Sequence, residues 1–221
     1  MIYVIIALAA ITLLTYKLEI LDSLGCLTAF LMGFLFWHFG GFYYIFIVVF
    51  FMGIGWFVTK YKEDYKDKIL PKNDVQRRTA NVIANGLSPL IFTLSGNPIA
   101  FFSAVSTALS DTMASELGVL SEDAYLLVNL KRVKPGTNGA VSIGGTIFSI
   151  IGAGMIAIPY FYIFGSIFGT IVVFISGYIG CLIDSLLGCT LERKKIVNKF
   201  HVNLIATFFG GLVSILLIYL I

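Results

Sequence analysis

The chain has 221 residues, 58% of them hydrophobic and only 12% charged, and its mean hydropathy is +0.95. Soluble domains are nearer half apolar and a quarter charged, so a water-soluble globular protein is excluded and an integral membrane protein is expected. The net charge of +3 says little, and the placement of the charges says more.

A membrane-spanning helix takes about 17–25 mostly apolar residues. Eight candidates follow one another along the chain: 2–16, 22–38, 42–59, 79–95, 97–117, 141–163, 165–187 and 203–221. They predict an all-α, polytopic bundle forming a single transmembrane domain over 1–221. The first candidate lacks the basic n-region of a signal peptide and reads as a short span. "FGG" at Phe39–Gly41, "SGNP" at Ser95–Pro98 and the stretch around Phe164–Gly165 read as tight reversals, with Pro98 suited to opening a helix. The fourth and fifth candidates are the most polar, and a re-entrant segment is the alternative there. Cys26, Cys181 and Cys189 lie in or beside apolar runs without metal-ligand spacing and read as small buried hydrophobes with no disulfide.

Three polar loops, about 60–78, 118–140 and 189–202, separate these spans. Together with the turn at Lys17 they hold all 15 Lys and Arg residues. Eight spans put all four places on one side, which the positive-inside rule makes cytoplasmic, with both termini on the other side.

The polar groups gather at that same side. "SDTMASELG", Ser110–Gly118, ends the fifth span and carries Asp111, Ser115 and Glu116. Asp184 and Ser185 end the seventh. Asn81 and Asn85 share one face at the start of the fourth. "GTNGAVSIGGT", Gly136–Thr146, opens the sixth, and "NKFHVN", Asn198–Asn203, opens the eighth. The outer half holds almost nothing polar. Polar residues at helix ends are common, and Ser142 and Asn203 also suit simple caps. Asp111 and Asp184 are flanked by apolar residues about a turn inside the boundary, where an unpaired charge is costly, so they read as functional. A site at headgroup level, open to the cytoplasm, is expected.

Carboxylates with Ser, Thr and Asn neighbours suit Mg²⁺, which takes oxygen ligands and commonly binds one or two carboxylates plus substrate phosphates. HExxH, CxxC and His clusters are missing, which argues against zinc. "KRVKPGTNG" sets Lys131, Arg132 and Lys134 before a loop with Gly136, Thr137, Asn138 and Gly139. Glycines admit a phosphate to the backbone, and the following helix N-terminus favours anions. The loop is not a Walker A motif, and a Pro-Gly turn bearing positive-inside lysines is the other reading. Together these features point to phosphoryl or nucleotidyl transfer to a lipid. The expected partners are a lipid phosphate, a nucleoside triphosphate and the bilayer, and not nucleic acid; the oligomeric state is left open.

"SDTMASELG", "KRVKPGTNGAVSIGGT" and "DSLLGCTLE" together resemble the integral membrane family that contains animal transmembrane protein 19 and the plant phytyl-phosphate kinase. The similarity runs from the Arg77–Asn85 region to the last span. The resemblance implies a polyprenyl- or phytyl-phosphate kinase that converts an isoprenoid monophosphate to its diphosphate, with CTP as donor. Carried over by position, Asp111, Ser115 and Glu116 match the acidic motif. Gly136, Thr137, Gly139, Ser142, Gly145 and Thr146 match the Gly-Thr motif, and Asp184 and Ser185 match the later Asp-Ser.

On this basis Asp111, Glu116 and Asp184 are the expected catalytic and Mg²⁺-binding residues. The 136–139 loop with Lys131, Arg132 and Lys134 would hold the nucleotide, and Arg77 and Arg78 the lipid phosphate. A transporter or flippase for a phosphorylated lipid, and a lipid-phosphate cytidylyltransferase, are the alternatives. A polar path reaching the outer half would favour transport.

Overall fold

Local signals start the helices of this protein, and packing of small residues assembles them. The structure, a computed structural model, describes residues 2–69 and 78–220. The helices are α1 (Ile2–Lys17), α2 (Ser23–Gly40), α3 (Phe42–Lys60), α4 (Glu63–Ile69), α5 (Arg78–Leu94), α6 (Pro98–Gly118), α7 (Ile143–Phe164), α8 (Ile167–Leu187) and α9 (Lys199–Leu220). Side chains of Asp22, Asn97, Ser142 and Ser166 accept from backbone N–H groups in the first turns of α2, α6, α7 and α8. Each satisfies a donor that the helix leaves without a partner. Gly165 takes a left-handed conformation (φ 65°) to end α7 before the next cap.

The eight long helices fall where the hydropathy placed them. Five of them (α2, α3, α7, α9, and α8 with the turn that extends it) are long and apolar enough to cross a membrane, and α1 and α5 are shorter apolar helices. Four details differ from the expectation. The 60–78 loop contains a short helix, α4. The 118–140 loop folds into a small antiparallel sheet of β1 (Ala124–Leu126), β2 (Arg132–Val133) and β3 (Ala140–Val141), ordered β2-β1-β3. Ala124 and Leu126 alternate with exposed Tyr125, so even this short strand buries one face. The last helix begins at Lys199, four residues before the expected start at 203. α8 continues into a π-helical turn, Gly188–Glu192.

α6 is the central element. It packs against α3, α5, α7, α8 and α9, and every residue from Ile99 to Ser110 is buried. Lipid offers no hydrophobic drive between helices, so close approach and dispersion must hold them. Glycines on the neighbours supply the approach. A methyl at Gly177 would overlap Ser106 Oγ, and one at Gly180 or Gly210 would overlap Thr107 Oγ1. Gly118 and Gly145 bring α6 and α7 together: a methyl on Gly118 would stand 2.8 Å from Gly145 Cα.

This packing corrects the expectation of an apolar outer half. Ser88, Ser103, Ser106, Thr107, Ser176, Thr207 and Ser214 are all buried within the bundle. Several donate to carbonyls: Ser106 Oγ to Ala153 at 3.4 Å, Thr107 Oγ1 to Ser103 at 3.0 Å and Ser88 Oγ to Leu204 at 3.1 Å. The Ser88 hydroxyl in turn accepts from Thr207 Oγ1 at 3.0 Å, tying α5 to α9. Hydropathy averages hide such residues because small hydroxyls cost little once bonded to a backbone carbonyl.

Gly177→Ala should cost about 1–3 kcal/mol by overpacking and lower the midpoint of thermal unfolding in detergent. Gly53→Ala, where an added methyl meets nothing within 4 Å, should leave that midpoint unchanged or slightly raised. Equal midpoints for the two variants would refute the packing account.

Candidate functional site

A cavity of about 680 Å³ lies at the end of the bundle where α6 and α8 finish and α5, α7 and α9 begin. This volume is typical of small-molecule sites. Asp111, Ser115, Glu116, Asp184, Ser185, Asn81, Asn85, the 136–139 loop, Ser142, Thr146 and Asn203 all line it. Residues separated by up to 122 positions in the chain thus meet in one place, which the sequence placed only at a common depth.

The charges at this end are organised by two lysines that sequence reasoning did not single out. Lys199 Nζ donates to Asp184 Oδ1 at 2.7 Å and lies 3.4 Å from Asp111 Oδ2. One cation therefore joins α6, α8 and α9. Asp184 is buried, its side chain only 5% exposed, and a carboxylate there would be untenable without that partner. Lys66 on α4 is buried too. Its Nζ donates to Glu116 Oε2 at 2.7 Å and to the carbonyls of Val58 and Thr59 at 2.9 and 2.5 Å. It supplies a positive charge and donors where α3 ends and its last carbonyls lack partners.

The expected carboxylate trio is thereby divided. Glu116 belongs with Lys66, whereas Asp111 and Asp184 share Lys199. Among the described residues no three His, Cys, Asp or Glu side chains lie close enough to hold one ion together. Two carboxylates share one lysine. Asp184 Oδ2 and Asn203 Oδ1 are buried acceptors with no donor in reach. Asp111, Asp184 and Asn203 all line the cavity, and their oxygens are of the type a hard divalent cation takes.

The remaining expected residues divide in the same way. Thr137, Asn138 and Gly139 line the cavity but are also occupied structurally. Thr137 gives its hydroxyl and its N–H to the Lys134 carbonyl at 2.6 and 3.2 Å. Asn138 Nδ2 donates to Glu192 Oε1 at 2.8 Å. Gly139, at φ 71°, presses on the π-helical turn so closely that a Cβ would overlap the Cys189 backbone. Only Gly136 (φ 82°), of the loop's glycines, is exposed at the cavity. Ser142 caps α7, accepting from Gly145 N at 3.0 Å and donating to the Gly118 carbonyl at 3.1 Å. Thr146 donates to the Ser142 carbonyl and Ser115 to that of Thr112.

Lys131, Arg132 and Lys134 do not line the cavity. All three are exposed on the sheet loop, and Arg132 pairs with Asp123. The short β1–β2 pairing carries them away from the site. Arg77 lies outside the described residues, and of Arg78 only its place as the first residue of α5 is described.

A signal for Lys199 existed. Two aspartates inside a membrane bundle demand a cation at their depth, and Lys199 is the basic residue at the mouth of the last helix. Lys66 carried no such signal, since "KYKEDYKDK" reads as a solvated charged loop.

Above the charged end the cavity turns apolar. Met32, Gly33 and Phe36 of α2, Val48, Phe51 and Met52 of α3, Pro89 of α5 and Val105 of α6 line it.

Fold and cavity define a polytopic helical membrane protein with a charged cavity at one end of its bundle. The chain belongs to the family described as integral membrane protein DUF92, whose profile matches residues 6–211. It is 35% identical over 220 residues to an uncharacterized membrane protein of Methanocaldococcus jannaschii, covering 96% of this chain and 92% of that one. It is 28% identical to protein VTE6, chloroplastic, of Arabidopsis thaliana, over 89% of this chain and 65% of the relative. Protein PGR of the same plant is 28% identical over 90% of this chain and 84% of its own. No solved structure matches the chain. The family is the one the acidic and Gly-Thr motifs resemble.

Lys199→Met should cost about 3 kcal/mol by leaving Asp184 a buried charge without a partner. Adding Asp184→Asn to that variant should recover much of the loss, as a double-mutant cycle on unfolding in detergent would read. Strict additivity of the two substitutions would refute the pairing.

Proposed function

We propose that this protein is a prenyl-phosphate kinase-like enzyme. It transfers the terminal phosphoryl group of a nucleoside triphosphate, CTP by family resemblance, to an isoprenoid monophosphate at the cytoplasmic membrane face. The observation that carries the reading is the single cavity, charged at one end and apolar at the other. A substrate with an anionic head and one hydrocarbon tail matches both ends at once. Kinship with the plant relatives and the motif resemblance support the same class.

The chemistry needs little beyond positioning and neutralisation. An oxygen of the lipid phosphate attacks the terminal phosphorus of the nucleotide. The bond from that phosphorus to its bridging oxygen breaks, and the nucleoside diphosphate leaves with the electron pair. The nucleophile is already an anion, so no general base is required. Asp111 and Asp184, with the Asn203 carbonyl oxygen, would hold Mg²⁺, which when bound offsets the charge of the triphosphate. Lys199 keeps the two carboxylates in register and presents its own charge to phosphate. Gly136 lets phosphate approach the loop backbone, and Asn81 and Asn85 offer amide donors to the lipid head. Glu116, tied to Lys66, anchors the end of α6 and has a supporting role.

Transport is the weaker reading. Ser106 and Thr107, outward along α6, pack against glycines of α8 and α9 and donate to carbonyls, which is the signature of helix packing.

The test is a turnover assay in detergent with geranylgeranyl or phytyl monophosphate, Mg²⁺ and each of CTP, ATP, GTP and UTP. Prenyl diphosphate and nucleoside diphosphate should form in equal amounts. Asp111→Asn should reduce both to background while the protein still elutes and melts as a folded species. Release of pyrophosphate would instead identify cytidylyl transfer, and no product from folded protein with any pair would overturn the kinase reading.

A further inference from the structure

The apolar end of the cavity has a definite floor. Its lining residues farthest from the charged end are Phe36 on α2, Val48 on α3, Pro89 on α5 and Val105 on α6. Phe36 is 1% exposed and is backed by rings. Its centroid stands 5.7 Å from that of Phe101, which stacks on Tyr44 at 4.2 Å. Phe101 and Phe102 are themselves fully buried and meet edge to face at 5.2 Å. This aromatic layer closes the cavity with side chains that have no room to swing away.

The length above that floor is fixed by helix geometry. On α3 the lining runs from Thr59, at the charged end, to Val48. That is about three turns, or about 16 Å at 1.5 Å per residue. An extended chain advances about 1.2 Å per backbone atom, as a peptide does, so about thirteen chain atoms fit, or three to four isoprene units.

We infer that Phe36, backed by Phe101 and Tyr44, is the residue that sets the longest isoprenoid tail the site accepts. The tail lies between α2, α3, α5 and α6 with its end against Phe36, and the phosphate lies at the Asp111–Asp184 end. The inference rests on the lipid-phosphate reading of the charged end and adds to it the tail's location, its length class and the residue that limits it.

The experiment compares geranyl, farnesyl, geranylgeranyl and geranylfarnesyl monophosphates on three proteins: wild type, Phe36→Ala and Val48→Phe. Each is read by kcat/KM and, independently of turnover, by the rise in melting temperature that each lipid phosphate gives in detergent. Wild type should favour farnesyl and geranylgeranyl. Phe36→Ala should improve the geranylfarnesyl-to-geranylgeranyl ratio about tenfold or more, and Val48→Phe should shift preference toward geranyl by a similar factor, the scale expected for reshaping an apolar pocket. The two substitutions move volume in opposite directions, so general damage cannot mimic both shifts. Parallel length profiles for all three proteins, by either readout, would overturn the inference. Length-dependent melting shifts that follow the substitutions without any phosphoryl transfer would keep the tail site and discard the kinase reading.

Discussion

A single ammonium group, Lys199 Nζ, lies between carboxylates from two other helices. Ionised side chains are tolerated within a membrane bundle only when another charge or a hydrogen-bonding partner takes the place of water. Asp184 has its partner in α9, and Asp111 shares it, so α6, α8 and α9 must meet at one depth and in one rotation. The close contacts farther out, where glycines of α8 and α9 receive Ser106 and Thr107 of α6, hold that arrangement along the rest of the interface. The site and the core are therefore one construction: moving a helix to relieve the packing would also part the charges.

The motif glycines look different in this light. In the sequence they read as backbone left bare for phosphate. In the fold, Gly139 and Gly188 let the loop lie on the π-helical turn, and Gly118 and Gly145 let α6 and α7 touch. Gly136 alone, of the loop's glycines, keeps a positive-φ backbone exposed at the cavity. Most of the motif thus serves to bring elements close enough to form the site, which binds chemistry to architecture at the same positions.

Much of the fold was legible because membrane helices write themselves as long apolar runs with Pro, Gly, Asn and Ser at their ends. Asp22, Asn97, Ser142 and Ser166 mark starts that the structure uses. The gathering of Asp111, Glu116, Asp184, Asn81 and Asn85 at one depth followed from direction alone. Its division into a Lys66 half and a Lys199 half did not, because depth along a helix carries no information on rotation about it. α4 and the sheet were hidden for a related reason: a polar segment that folds on a membrane-level surface has the same composition as one that does not. The place of Arg132 depended on that sheet, and so its pairing with Asp123 was out of reach.

α6 has 21 residues and so the length to cross a membrane, but it does not reach the apolarity of the five helices that qualify by composition. It occupies the centre of the bundle, where protein and not lipid surrounds it. During synthesis it emerges behind α5 across a tight turn, before any of α7, α8 and α9 exists to cover it. The cation that balances its aspartate arrives only with Lys199, at the head of the last described helix. A ribosome that stopped short of α9 would leave two acids facing an incomplete bundle. Arrival of α9 and the pairing of those two acids are thus the same event.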